Sequence, residues 1–319
     1  PSPILSVQLN TSSTNSDKIL RKIRKKLKND LIFLFLSILI FLIRILPRRV
    51  AIFFAKIFGK LAFWLLPTER KRTLENLKLA LGKEKSSREI KKLAGEVFVN
   101  LALNAVDVIS LGKPKNKLEQ MVTAIEGEED FALAYQQGKG LVGIAGHISN
   151  FELMASYLSV KGYKLAVIGR ELYDKRLNKL LVENRQNTGL ENIPNTAGVK
   201  ELLKTLKEGK MLGILIDQNS SKVRNVKVNF FGRPANTPVG PALIALKTGS
   251  PVVPMAMVRD SKHTYRIIMG QVIQPPELKD SKEIEKEAVE LTQKCTWFLE
   301  EIIRKYPSQW VWMHNRWGD

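Results

Sequence analysis

The chain has almost none of the residues from which disulfide frameworks and metal centres are built: one cysteine and three histidines in 319 residues. A single thiol excludes an intramolecular disulfide and any CxxC metal motif. Cys295 lies in a helical stretch beside Trp297 and Phe298, so it reads as a packed thiol and not as a nucleophile. No GxSxG elbow occurs, which excludes a serine nucleophile of that type. No internal repeat is visible. Acids are scarce as well: 31 Asp and Glu stand against 51 Lys and Arg, a net charge of +20.

That charge is unevenly placed. Twelve Lys and Arg between Lys18 and Lys60 face one acid, Asp30. The basic run from Lys18 to Lys28 leads into Leu31 to Ile43, thirteen residues without a charge. Nucleic acid would attract the basic run but offers no sink for the adjoining phenylalanines and leucines, whereas anionic headgroups and acyl chains match both halves. A membrane partner is therefore expected and nucleic acid is not. With Arg44, Ile45 and Leu46 the segment reaches sixteen residues before Pro47, short of the roughly twenty that cross a bilayer upright. A second apolar segment, Val50 to Leu66, carries Lys56 and Lys60 on one helical face, the pattern of a helix lying in the interface. Arg48 and Arg49 oppose placing the intervening turn on the far side. Residues 18–66 thus read as a shallow or re-entrant anchor, with a single crossing as the alternative. No small-residue cleavage pattern follows, so the anchor stays attached.

Residues 1–17, rich in Ser, Thr, Asn and Pro, read as a disordered lead. Residues 67–130 give helical periods only, a helical collar broken by Gly, Pro and Lys at 112–117. In the remaining domain, 131–319, short β-rich runs at 141–145, 164–168, 211–216, 252–258 and 265–269 alternate with helical stretches, and a long helix from 282 to 305 follows the last of them. Strands alternating with helices of this length predict an α/β fold: a mostly parallel central sheet covered by helices, behind an N-terminal hydrophobic membrane-anchoring helical segment.

Ligands of such sheets bind beyond the carboxyl ends of the strands, so polar residues just after strands are the ones to inspect. After the first predicted strand come His147 and Glu152, a base and a carboxylate able to hold its ring. After the second comes Arg170, whose guanidinium suits an anionic group, with Arg185 a further choice. After the third comes Asp217, which either organises the pocket floor or caps a turn. Before the fourth, Phe231, Gly232 and Thr237 lie in a Gly/Pro-shaped stretch opening a helix, a place for substrate or an oxyanion. The closing tryptophans Trp310, Trp312 and Trp317 fit either an interfacial belt or packing of the tail. His263 and His314 have no partner at a ligand spacing.

The ordered set of His147 with Glu152, Arg170, Asp217-Gln218, Phe231-Gly232 with Thr237-Pro238-Val239-Gly240, and Val252-Val253-Pro254 resembles the glycerolipid and lysophospholipid acyltransferase superfamily. Within it, the chain is most similar to the late, lauroyl- and myristoyl-type acyltransferases of lipid A synthesis and to their relatives that acylate phosphatidylinositol mannosides. The resemblance runs from about residue 31 to Trp317 and departs at Ser149 and Phe151, where this branch usually has Gly and Trp. It implies a membrane-bound O-acyltransferase. His147 takes the proton of an acceptor hydroxyl, Glu152 fixes the imidazole, and Arg170, Arg185, Asp217, Phe231, Gly232 and Thr237 meet the substrates. It implies no metal and no cofactor beyond an acyl thioester of acyl carrier protein or coenzyme A, which is a co-substrate. The implied acceptor is a glycolipid, foremost a lipid A precursor, with another glycolipid or a lysophospholipid as the alternative. The implied location is the cytoplasmic face of the bacterial inner membrane. A lipid-binding scaffold without chemistry is the non-enzyme alternative, and the intact His/Glu pair speaks against it.

Overall fold

The computed structural model describes residues 15–110, 118–277 and 280–318. Four helices come first: α1 (Asn15–Ile45), α2 (Arg48–Leu65), α3 (Pro67–Leu81) and α4 (Ser87–Ile109). Prolines punctuate them. Pro47 ends α1, and Pro67 starts α3 at a helix position where its missing N–H has no intrahelical partner to lose. Ser86 and Glu89 close a capping box on α4. Residues 1–14 of the expected lead and the expected break at 112–117 lie outside the described residues; residues 15–17 open α1.

The rest alternates as strands and helices. In order they are β1 (Val122–Glu126), α5 (Glu128–Gln136), β2 (Leu141–Ala145), α6 (Phe151–Val160), β3 (Leu165–Gly169), α7 (Lys175–Asn187), β4 (Glu191–Pro194), α8 (Val199–Lys207) and β5 (Met211–Leu215). A hairpin of β6 (Asn225–Phe230) and β7 (Arg233–Pro238) intervenes, followed by α9 (Gly240–Thr248), β8 (Val252–Arg259), β9 (Tyr265–Met269) and α10 (Ser281–Lys305). Seven strands form one sheet in the order β1-β9-β8-β2-β5-β3-β4. Every neighbouring pair is parallel except β8 with β9. The α/β class and the mostly parallel sheet are as the sequence predicts.

Two expectations need correction. The stretch 67–130 is not helical throughout, because β1 pairs in parallel with β9 at the sheet edge; Thr123 and Glu126 leave this five-residue edge strand no long apolar run. The Gly/Pro stretch read as opening a helix before α9 is mostly the hairpin β6–β7, with Phe231 and Gly232 as its two-residue turn. Both have positive φ, 55° and 71°, as a type I′ turn requires.

Helices cover both faces of the sheet. One core runs from α3 and α4 beneath β2, β5 and β8 to α10 and the tail, where Trp310 and Trp312 are fully buried. A second lies under α5, α6, β3 and β9. The amino-terminal helices differ: Ile43, Ala51, Ile52 and Ala55 pack onto α4 through Leu103 and Val106, while Phe35, Phe41, Phe53, Phe58, Trp64 and Leu65 stay exposed. Among the described residues no single helix is long and apolar enough to cross a membrane; α2 and α3 together have the length and composition, but the pair is bent by 91°.

Candidate active site

Strand pairing builds the centre of the site. β2 and β5 run parallel and in register from Leu141 opposite Met211 to Ala145 opposite Leu215. Continuing both chains two residues brings His147 level with Asp217. Gly146 makes the approach possible, since a Cβ there would sit only 3.2 Å from the Asp217 carboxyl carbon. Asp217 Oδ1 lies 2.8 Å from His147 Nδ1, and Oδ2 accepts the His147 backbone N–H at 2.7 Å and the Trp310 indole N–H at 2.7 Å. The carboxylate is thus buried and fully partnered. The imidazole side chain keeps 24% exposure, and its Nε2 has no hydrogen-bond partner among the described residues.

Electrostatics follow from that geometry. Burial opposes charge on the His147 ring, but the Asp217 carboxylate, by its charge and hydrogen bond, more than offsets it, and the pKa is raised. Burial likewise opposes charge on Asp217. The facing imidazole and the Trp310 and backbone donors prevail and hold it low, at about 2.

The backbone after His147 is held in an unusual shape. Ser149 has φ 48°, a left-handed conformation costly for a residue with a side chain. Its N–H donates to Gln309 O at 2.6 Å and its carbonyl accepts from Asn104 Nδ2 at 2.6 Å. Asn104 in turn accepts from Arg259 Nη2 at 2.6 Å, and Arg259 also donates to Asn100 and to the Tyr265 hydroxyl. Tyr265 donates to Asp107 at 2.6 Å, and Asp107 pairs with Arg48, the first residue of α2, at 2.9 Å. A chain of polar side chains therefore runs from the head of α2 to the loop that carries His147.

Glu152 sits elsewhere than the sequence suggests. It lies in the first turn of α6 and is gripped by Arg185: Nε donates to one carboxylate oxygen at 3.0 Å and Nη2 to the other at 2.5 Å. Arg185 is buried and also donates to Asn192. The partner of the His147 ring is thus Asp217 and not Glu152, and the donors of Arg185 are already committed to Glu152 and Asn192. Glu152 and Arg185 mark the polar end of a narrow apolar cleft between α6 and strands β2, β3, β5 and β8, lined by Gly143, Ala155, Leu158, Met211, Gly213 and Met255.

The other candidates scatter. Arg170 is exposed after β3, with no ion-pair partner among the described residues. Phe231 is buried in the hairpin turn against Trp312 and Trp317, and Gly232 is exposed at its tip. Thr237 is fully buried, with its hydroxyl accepting from Arg316 at 2.7 Å. Phe231 and Thr237 have no surface left for substrate, because the tail packs on them. Two residues without a sequence signal join the site instead. Trp310 completes the Asp217 carboxylate. His314, whose ring centroid is 5.7 Å from that of His147, lies against Gln218, its Nε2 2.5 Å from the Gln218 side-chain nitrogen. Burial and the neighbouring His147 lower the pKa of His314. Both come from the tail, 93 and 96 positions beyond their partners on the β5 loop, so sequence spacing gave no warning.

A seven-stranded, mostly parallel sheet with a histidine–aspartate pair at the carboxyl ends of two central strands, beside an apolar cleft, defines an α/β protein suited to acting on a hydrophobic substrate through a base. The model of the family described as bacterial lipid A biosynthesis acyltransferase matches residues 20–318, and the chain belongs to that family, a class of enzymes that transfer acyl groups. It is 24% identical over 139 residues, 42% of this chain and 44% of the other, to a phosphatidylinositol mannoside acyltransferase of Mycobacterium tuberculosis (strain CDC 1551 / Oshkosh). With the enzyme of that name from Mycolicibacterium smegmatis it shares 23% identity over 189 residues, 58% of this chain and 59% of the other. The chain thus spans about two-fifths to three-fifths of the length of the curated relatives it matches. The crystal structure of the 1-acyl-sn-glycerophosphate (LPA) acyltransferase PlsC from Thermotoga maritima is loosely similar, with a TM-score of 0.37 and 14% identity over 80% of this chain and 98% of that one.

Proposed function

We propose that this protein is a membrane-bound O-acyltransferase that moves a fatty acyl chain from a thioester to a hydroxyl of a glycolipid, foremost a lipid A precursor. One observation carries the reading: Asp217 holds His147 Nδ1 at 2.8 Å and leaves Nε2 open. In that tautomer Nε2 carries the lone pair that takes the acceptor's proton. The alkoxide oxygen attacks the thioester carbonyl, the tetrahedral oxyanion collapses, the carbon–sulfur bond breaks, and the thiolate recovers the proton from His147 Nε2. Asp217 keeps the imidazole oriented and stabilises its charged form meanwhile. Glu152 and Arg185 act on the cleft rather than on the ring.

The apolar cleft supports a fatty chain as the group transferred. The exposed apolar residues of α1 and α2 support work at a bilayer, with residues 18–66 as a shallow anchor beneath the α/β domain. Both thioester donors, of acyl carrier protein or of coenzyme A, are anionic, as the +20 net charge favours; donors of that kind put the site on the cytoplasmic face of the bacterial inner membrane. The names of the mycobacterial relatives favour a phosphatidylinositol mannoside-like glycolipid as the second choice of acceptor. The test is acyl transfer by purified protein, with mass spectrometry of the lipid product and a thioester donor of each kind. Folded His147→Ala is expected to lose about 10²- to 10⁴-fold in rate, and near-normal transfer by that variant would sink the proposal.

A further inference from the structure

α2 and α4 cross at Gly59, where a Cβ would come within 2.6 Å of the Val99 Cα; only glycine lets the two backbones meet. Beside that crossing they enclose an open groove of about 700 Å³. Lys56 and Lys60 line it from α2, and Arg88, Lys91 and Lys92 from α4. All five are exposed. One acid, Glu96, lines the same groove and lies 4.0 Å from Lys92; among the described residues the other four cations have no ion-pair partner, so the cleft carries an excess of positive charge. Such an arrangement repels itself unless an anion enters.

The walls specify which anion. Phe63, Trp64 and Val99 line the same groove, and Trp64 continues onto the exposed apolar face of α2 with Phe58 and Leu61. One helix therefore turns a basic side into the groove and an apolar side outward, and the seam between them matches the junction of a charged headgroup with its acyl chains. An acidic protein surface would satisfy the lysines but not the apolar face beside them. The floor, Asn100 and Ser308, is joined to the site: Ser308 accepts from Asn100 and precedes Gln309, whose carbonyl holds Ser149.

We propose that this groove binds the phosphate of an anionic phospholipid, whose acyl chains lie along the exposed face of α2. The inference rests on α2 being a membrane-contacting helix. The test uses the full chain, with phosphatidylglycerol as the probe: flotation with phosphatidylcholine vesicles that contain or lack it, and native mass spectrometry of the lipid retained from detergent. The double variant Lys60→Gln, Lys91→Gln is compared with Lys282→Gln, Lys286→Gln, which removes equal charge from α10. The groove variant is expected to lose phosphatidylglycerol binding by roughly tenfold or more and still float with phosphatidylcholine, while the α10 variant binds as the parent does. Equal losses in the two variants would reduce the effect to net charge and overturn the site. So would displacement by inorganic phosphate alone, or loss of acyl carrier protein binding with phosphatidylglycerol retained. Failure of the parent protein to float with any vesicle would overturn the membrane reading itself, whereas flotation without selectivity for phosphatidylglycerol overturns only the groove.

Discussion

At His147, burial and a neighbouring carboxylate compete, and the carboxylate wins; that outcome sets the pH range in which the ring can accept a proton. As a base it must be uncharged, so kcat/KM is expected to rise with pH through an apparent value above the ordinary 6.5. Asp217→Asn removes the charge but not the burial. The acid limb is then expected to move to lower pH while the rate falls, and a pH–rate profile with an unmoved limb would assign the ring's properties to something else. Stability responds with the opposite sense. The raised His147 pKa contributes stability that is complete below 6.5 and disappears as pH rises through the folded value. The lowered Asp217 pKa contributes above 3.8 and is lost as pH falls toward about 2. Asp107 is a second residue of consequence, since it lies buried between Arg48, Tyr265 and Arg259. Its replacement by Ala leaves the Arg259 guanidinium buried without its carboxylate, and a loss of about 3–5 kcal/mol is expected in thermal or denaturant unfolding.

Among the elements, α6 and the strands beneath it set the shape of the apolar cleft. Ala155 faces that cleft, so Ala155→Phe is expected to fill part of it and shift transfer toward shorter acyl chains. Competition between thioesters of different length, read by mass spectrometry, measures the shift; an unchanged length preference would place the chain elsewhere. The same elements show what a sequence discloses. The runs at 141–145, 211–216 and 252–258 were legible because central strands covered on both faces are continuously apolar. β4 is four residues at the edge, and β6 and β7 carry Lys, Asn, Arg and Pro because much of their surface points outward. Neither signals a strand locally. His147 was legible from its place after a strand, and Asp217 as a strand-end carboxylate. Their pairing was not, because it depends on β5 lying beside β2, a fact of strand order. The Glu152 spacing pointed to the ring, yet Arg185, 33 positions away, takes that carboxylate.

On the scale of the whole molecule, apolar surface is concentrated on α1 and α2, where Phe53, Phe54 and Phe58 are 60%, 44% and 54% exposed. Burial of such a ring is worth about 1.5–3 kcal/mol, and each tenfold in partition corresponds to about 1.4 kcal/mol. Replacing all three by Ser is expected to lower vesicle binding by roughly a thousandfold or more without unfolding the sheet; undiminished flotation would move the membrane contact off α2. The position of Trp310 has a consequence in time. Its indole is the donor that completes Asp217, 93 positions earlier in the chain. During synthesis His147 and Asp217 leave the ribosome well before Trp310, so the donor that completes the carboxylate, and with Trp312 a buried part of the main core, arrives last.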